Sequence, residues 1–152
     1  AEYERGREGY VVRFDSGLQV KVKFEGYCRD HKIRYETSSN SIWCNLKQGL
    51  SPLPEDADKC SNLPDEFFEW VTETVKDLQN AYLDIEMAAR SEFKMAQEDL
   101  GDSPRKSYAE RFRATPRLMP LLFLMLDGRD CTPSIWKMLK PESAVAFAAA
   151  DE

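Results

Sequence analysis

From Phe67 to Leu100, apolar side chains recur at gaps of three and four: Phe67, Val71, Val75, Leu78, Tyr82, Ile85, Ala89, Phe93, Ala96 and Leu100. That period belongs to a helix with one apolar stripe. Pro64 suits a first helical position, while Asp65, Glu66 and Glu69 favour the positive end of the helix dipole. Gly101 supplies the stop. The pattern predicts one helix of about 37 residues, roughly 55 Å long at 1.5 Å per residue. Shorter helices are expected near 106–114, 117–126 and 134–140, with another around Tyr35 to Leu46. Residues 51–63 contain Pro52, Pro54, Asp56 and Asp58 and are expected to form a loop.

The N-terminal stretch follows a different rule. Tyr10, Val12 and Phe14 alternate with Val11 and Arg13, then Asp15-Ser16-Gly17 leads into a second apolar stretch from Leu18 to Tyr27. Period-two alternation around a Gly-containing turn predicts a β-hairpin. A two-residue Ser16-Gly17 loop would pair Val12 with Lys21, Tyr10 with Lys23 and Glu8 with Glu25. Glu8, Lys21 and Lys23 would then share one face. A three-residue loop would put Glu8 opposite the lysines, because a slip of one residue inverts every side chain. The expected architecture is α+β: a short antiparallel hairpin over residues 1–30, a helical domain over 31–141, and a frayed Ala-rich tail over 142–152.

Charge divides along the same boundary. Residues 1–34 hold eight Lys/Arg against six Asp/Glu, and residues 35–152 hold thirteen against twenty-one. Polyanion contact is therefore expected mainly at the hairpin, the other candidate being the group Arg105, Lys106, Arg111, Arg113 and Arg117. Four cysteines stand at 28, 44, 60 and 131 with no Cys-x-x-Cys, and His31 is the single histidine. These are the wrong ligands for structural zinc, and free, mostly buried thiols in a reducing cytosol are the expectation. One histidine also leaves little material for a hydrolase triad. His31 itself is expected on a surface loop, and Trp43, Trp70 and Trp136 in core packing. The longest apolar run, Leu118 to Leu126, falls well short of the ~20 residues that cross a bilayer, so no membrane partner is expected. The chain opens on Ala1 and enters a strand pattern almost at once, as expected of a piece of a longer cytoplasmic product.

The chemistry is concentrated in the hairpin. Lys21 and Lys23 lie two residues apart on a strand, so their ammonium groups project from one face about 7 Å apart, close to the spacing of neighbouring phosphates. Glu8 beside them is a candidate ligand for a divalent cation. Arg13 and Tyr27 are the candidate RNA-binding residues, through a phosphate contact and a base stack.

In order and spacing these residues resemble a known family. Glu8-Gly9-Tyr10-Val11-Val12 looks like motif IV of the covalent nucleotidyltransferases, and Val20-Lys21-Val22-Lys23 looks like their motif V. The Ser16-Gly17 turn, the thirteen-residue step from Glu8 to Lys21 and the following Phe-Glu-Gly-Tyr are most similar to RNA ligases of the phage T4 RNA ligase one type. In that family a helical domain follows motif V, where DNA ligases and capping enzymes continue into an OB-fold. Leu63-Pro64-Asp65-Glu66-Phe67, Leu122 to Gly128 and Ile135-Trp136-Lys137 extend the likeness.

The resemblance implies an ATP-dependent, Mg²⁺-supported reaction on RNA ends. A lysine attacks the α-phosphate of ATP, AMP passes to an RNA 5′-phosphate, and a 3′-hydroxyl displaces AMP to seal the strand. Glu8 would be the motif IV glutamate supporting the metal, and Lys21 and Lys23 would contact the transferred phosphate as catalytic and ATP-binding residues. The family's Lys-x-Asp-Gly nucleophile motif is absent, since Leu126-Asp127-Gly128 lacks a lysine two residues before the Asp. The expectation is the C-terminal portion of an RNA ligase, inactive alone and working with a preceding part of the adenylation domain, in a host cytoplasm if phage-encoded. Two alternatives stand beside it: a non-catalytic helical module binding RNA or protein, and the tail of a DNA ligase or capping enzyme.

Overall fold

A computed structural model describes residues 7–59 and 63–148, with only the backbone at 59. The elements run β1 (Gly9–Arg13), β2 (Gln19–Lys23), α1 (Glu25–Glu36), α2 (Ser39–Lys47), a 3-10 turn (Ala57–Lys59), α3 (Asp65–Leu100), α4 (Arg105–Phe112), α5 (Met119–Leu126) and α6 (Thr132–Met138). The fold is α+β and mostly helical, with one two-stranded antiparallel sheet. No helix among the described residues is long and apolar enough to cross a membrane.

The hairpin register differs from the expected one by a single residue. Tyr10 faces Val22, Val11 faces Lys21, Val12 faces Val20 and Gly9 faces Lys23. Asp15-Ser16-Gly17 forms a three-residue loop in which Gly17 takes φ +86° and the Phe14 N–H donates to the Leu18 carbonyl at 2.8 Å. A turn followed by a left-handed glycine is a regular three-residue hairpin closure. The register has a packing reason. It gathers Tyr10, Val12, Val20 and Val22 on one face and leaves Val11, Arg13, Gln19, Lys21 and Lys23 on the other. The expected register would have put Lys21 and Lys23 on the same face as Tyr10 and Val12.

Strand β2 stops at Lys23 rather than Tyr27, and Phe24 turns the chain into α1. The helix expected around Tyr35 to Leu46 is instead two helices, α1 and α2, divided at Thr37-Ser38. Ser38 starts α2 with a reciprocal cap: its Oγ accepts from the Ser41 N–H at 3.2 Å, and the Ser41 Oγ accepts from the Ser38 N–H at 2.8 Å. His31, expected on a loop, lies within α1.

The chain divides into two compact units, residues 1–75 with 141–152 and residues 76–140. In the first, Phe24, Ile33, Ile42, Ala57, Leu63, Phe67 and Val71 are buried. The tail, expected to fray, is held over residues 143–148. The Ser39 N–H donates to the Val145 carbonyl at 2.8 Å, Ser38 and Ala146 form a β-bridge, and the Phe147 ring meets Phe67 edge-on at 5.6 Å. Residues 149–152 lie outside the described residues.

In the second unit α3 presents small residues inward. Ala89 and Ala96 are fully buried beneath side chains from α4, α5 and α6. Ile85, Ala89, Leu121 and Ile135 form one cluster, and Ala96, Tyr108, Phe112 and Leu122 a second. Pro120 and Pro133 sit in the first turns of α5 and α6, where a missing N–H costs nothing. The tryptophans are half-buried rather than core residues. The Lys47 ammonium lies 5.1 Å over the Trp43 ring, and Trp136 packs on Tyr82 at 5.0 Å. Cys28 is exposed, Cys44 and Cys131 are half-buried, and all three are free thiols, so burial is shallower than expected. Cys60 lies outside the described residues.

Gly9 is the sharpest sequence requirement in the hairpin. Its φ is +156°, and a Cβ there would overlap the Val22 carbonyl oxygen and lie 2.7 Å from the Lys23 Cα. No flexible side chain can move aside, because both neighbours are backbone. Gly9→Ala is expected to break the β1–β2 pairing at that end, seen as loss of amide-exchange protection at Phe24, whose N–H bonds the Glu8 carbonyl. Undiminished protection would show that the strands close in some other way.

Candidate phosphate-binding site on the hairpin

Glu8, Lys21, Lys23 and Tyr27 come from three consecutive segments: the approach to β1, strand β2 and the first turn of α1. Strict alternation with the observed register would put Glu8 on the apolar face, opposite Phe24. Gly9 breaks the alternation. Beyond it the Glu8 carboxylate reaches the Lys21 ammonium, with Nζ to Oε2 at 2.5 Å. The Tyr27 phenol lies close enough to the same carboxylate to favour its charged form. Lys23, two residues along β2 on the same face as Lys21, adds its field to Glu8.

The electrostatics follow from these contacts. The hydrogen bond from Lys21, then the nearby Tyr27 phenol and the lysine charges, hold the Glu8 carboxyl below the usual carboxylate range. The bond to Glu8 raises the Lys21 ammonium above its ordinary value. Partial desolvation, then the Glu8 contact, pushes the Tyr27 phenol up. Glu8 is depressed, so its share of pairing is complete above its unfolded value and is lost as pH falls through the folded one. Lys21 is raised, so its share is complete below its unfolded value and lost as pH rises through the folded one. The pair is therefore intact across the neutral range.

A carboxyl-carbon NMR titration is expected to give Glu8 a midpoint below those of solvent-exposed glutamates, and Lys21→Met is expected to move it upward. An unmoved midpoint in the variant would show that the contact does not persist in solution.

Lys21 and Glu8 side chains are 51% and 50% exposed. Ion pairs so open to water add little to stability. What the arrangement does offer is two ammonium groups on one strand face and a carboxylate beside them, all accessible from solvent. Mg²⁺ is commonly bound by one or two carboxylates together with substrate phosphates. Glu8 is the carboxylate that could hold such an ion, and Lys21 and Lys23, on one strand face, are the side chains that could meet phosphate oxygens. Among the described residues no cluster of three or more His, Cys, Asp or Glu side chains forms a cage that would hold a metal by itself.

Arg13 lies exposed at the loop end of β1, opposite Gln19 and four residues from Gly9 along the strand, away from the Glu8 end. Tyr10 packs edge-on against Phe24 at 5.0 Å, in keeping with a packing role. In the basic group of the second unit, Arg105 forks onto the Asp127 carboxylate and lies 5.0 Å over Phe123. Arg111 bonds Glu92 at 3.2 Å and Asp99 at 2.6 Å. Two of its five cations thus already have carboxylate partners, which weakens that group as a polyanion surface.

One feature of α1 escaped the sequence reading. Tyr27, His31 and Tyr35 line one helix face, with the Tyr27 and His31 rings tilted at 5.7 Å and His31 stacked on Tyr35 at 4.2 Å. The i, i+4, i+8 spacing of three rings was the available signal. Compared with protein-family models, with curated proteins and with solved structures, the chain finds no match.

Proposed function

We propose that the chain is the C-terminal portion of an ATP-dependent RNA ligase that seals 5′-phosphate and 3′-hydroxyl RNA ends, with Mg²⁺ as the metal. The observation that carries this reading is the 2.5 Å contact between Glu8 and Lys21, thirteen residues apart, with Lys23 on the same face. Negative charge builds on a phosphoryl group in transfer, and cations already in place stabilise that state more than the ground state. Lys21 and Lys23 would hold and neutralise the phosphate, Glu8 orients Lys21 and would be the carboxylate that holds the metal, and the neighbouring Tyr27 phenol favours the charged form of Glu8. Mg²⁺, when bound, supplies charge neutralisation at the phosphate oxygens. The helices that follow Phe24 favour an RNA ligase of the phage type over a DNA ligase or capping enzyme, whose next domain is an OB-fold.

The nucleophilic lysine would come from a Lys-x-Asp-Gly segment outside this sequence. The test is a sealing assay on a protein that joins this chain to such a segment, supplied with ATP, Mg²⁺ and 5′-phosphorylated RNA. Joined product is the expected result. Tight RNA binding by this chain alone, with no joined product from the longer protein, would turn the assignment toward a binding module.

A further inference from the structure

Beyond Tyr27, helix α1 carries two further rings, His31 and Tyr35, that the phosphate chemistry does not use. Tyr27, near the Glu8 carboxylate, His31 and Tyr35 form a row of rings along the helix, tilted at 5.7 Å between Tyr27 and His31 and stacked at 4.2 Å between His31 and Tyr35. The far ring, Tyr35, is 71% exposed. Tyr27 is half-buried, but His31 and Tyr35 are exposed and bury little against the protein, so packing does not account for the outer two rings. The row borders a cavity of about 260 Å³ lined by Tyr27, Asp30, His31, Arg34, Tyr35 and Leu63. That is below the ~300–1,000 Å³ of sites that enclose a drug-sized ligand, and suits a single planar group entering from the side. Arg34 lies at its wall, with the guanidinium 5.6 Å over the Phe147 ring. Lys21 and Lys23 lie at the near end.

We propose that this face is a stacking platform for the unpaired bases next to the RNA end whose phosphate sits at Lys21 and Lys23. The proposal rests on the RNA-ligase reading and adds how the substrate strand is held. Charge and shape both point to single-stranded RNA. Planar rings accept any base by its face, and the cations flanking them match the backbone. The row's origin at Tyr27 sets the direction, with the terminal phosphate at the hairpin and the bases following along α1. A duplex end would offer only its last pair to such a surface.

The test uses this chain and two fluorescent 5′-phosphorylated oligoribonucleotides of equal length, one with bases and one abasic. Wild type is expected to bind the base-bearing strand about tenfold more tightly, the scale of one base–aromatic stack. Tyr35→Leu keeps helix propensity and an apolar side chain but lacks a π face. It is expected to bring the two affinities close together without altering the circular dichroism, and Tyr35→Trp is expected to restore the preference. Equal binding of the two strands by wild type, or an unchanged preference in Tyr35→Leu, would overturn the platform. The phosphate site is read separately. If both strands bind equally and Lys23→Ala weakens both, the platform alone falls. If neither strand binds wild type, the platform falls and the ligase reading loses its substrate contact.

Discussion

Lys21→Ala, made in a protein that also carries the nucleophile segment, is expected to slow RNA sealing by at least about a hundredfold. Removing one preplaced group that stabilises developing charge typically costs 10²–10³ in rate. Two losses combine here. The phosphate oxygens lose an ammonium group, and the Glu8 carboxylate loses the 2.5 Å partner that orients it. Lys23→Ala is expected to act in the same direction through the first loss alone. Neither change is expected to alter the unfolding midpoint appreciably, because the Lys21–Glu8 pair is half open to water. That separation is the informative part. Single-turnover joining of 5′-phosphate RNA, read beside a thermal melt, distinguishes lost chemistry from lost fold. Sealing at the wild-type rate by both variants would remove the hairpin from the reaction and with it the ligase assignment. Lys21→Arg is not a neutral control, since a planar fork cannot replace a compact ammonium at a site built around one.

Legibility in the sequence followed the strength of the local signal. Helix α3 was readable almost to the residue. Its stripe is regular, Pro64 and Gly101 mark its ends, and the observed span of Asp65–Leu100 departs from the expected one by a single position. The hairpin was readable as a hairpin, but its register was not. Asp15-Ser16-Gly17 accommodates a two- or a three-residue loop, and the choice falls to cross-strand packing of Tyr10 and Val12 on Val22 and Val20. The proximity of Glu8 to Lys21 was foreseen by a route that the structure does not use. It arises from the break in alternation at Gly9 rather than from simple pairing.

Helix α1 was hidden for an identifiable reason. It has almost no apolar stripe, with Asp30 and Ile33 its only buried residues, and Gly26 lowers its intrinsic propensity. Its periodicity lies in Tyr27, His31 and Tyr35, on the face turned to solvent. A reading that looks for buried faces passes over an exposed one. The tail was obscured in the same way, because Ala-rich composition says nothing of the single ring, Phe147, that packs with Phe67 and Trp70.

Phe112→Ala is expected to destabilise the second unit by about 3–5 kcal/mol, the usual cost of truncating a fully buried phenylalanine. Phe112 closes α4 with no exposed surface. Its ring meets Phe123 edge-on at 5.3 Å and Tyr108 at 5.9 Å, so the truncation removes two ring contacts along with the buried area. Relaxation into the cavity is restricted from both sides. Ala96 carries only a methyl group, with no rotamer to swing into the space, and the Tyr108 hydroxyl is tied to the Gly101 carbonyl at 2.5 Å. A domain holds only about 5–15 kcal/mol in total, so a loss of this size consumes a large fraction of it. Met87→Ala is the matched control. Met87 sits on the long helix α3 and is 66% exposed, and its truncation is expected to change stability by no more than about 0.5 kcal/mol. Urea unfolding followed by helical circular dichroism reads both. A Phe112→Ala loss below about 1 kcal/mol would mean that α4 is not docked on α3 and α5, and that the Phe112 cluster does not hold the helical unit together.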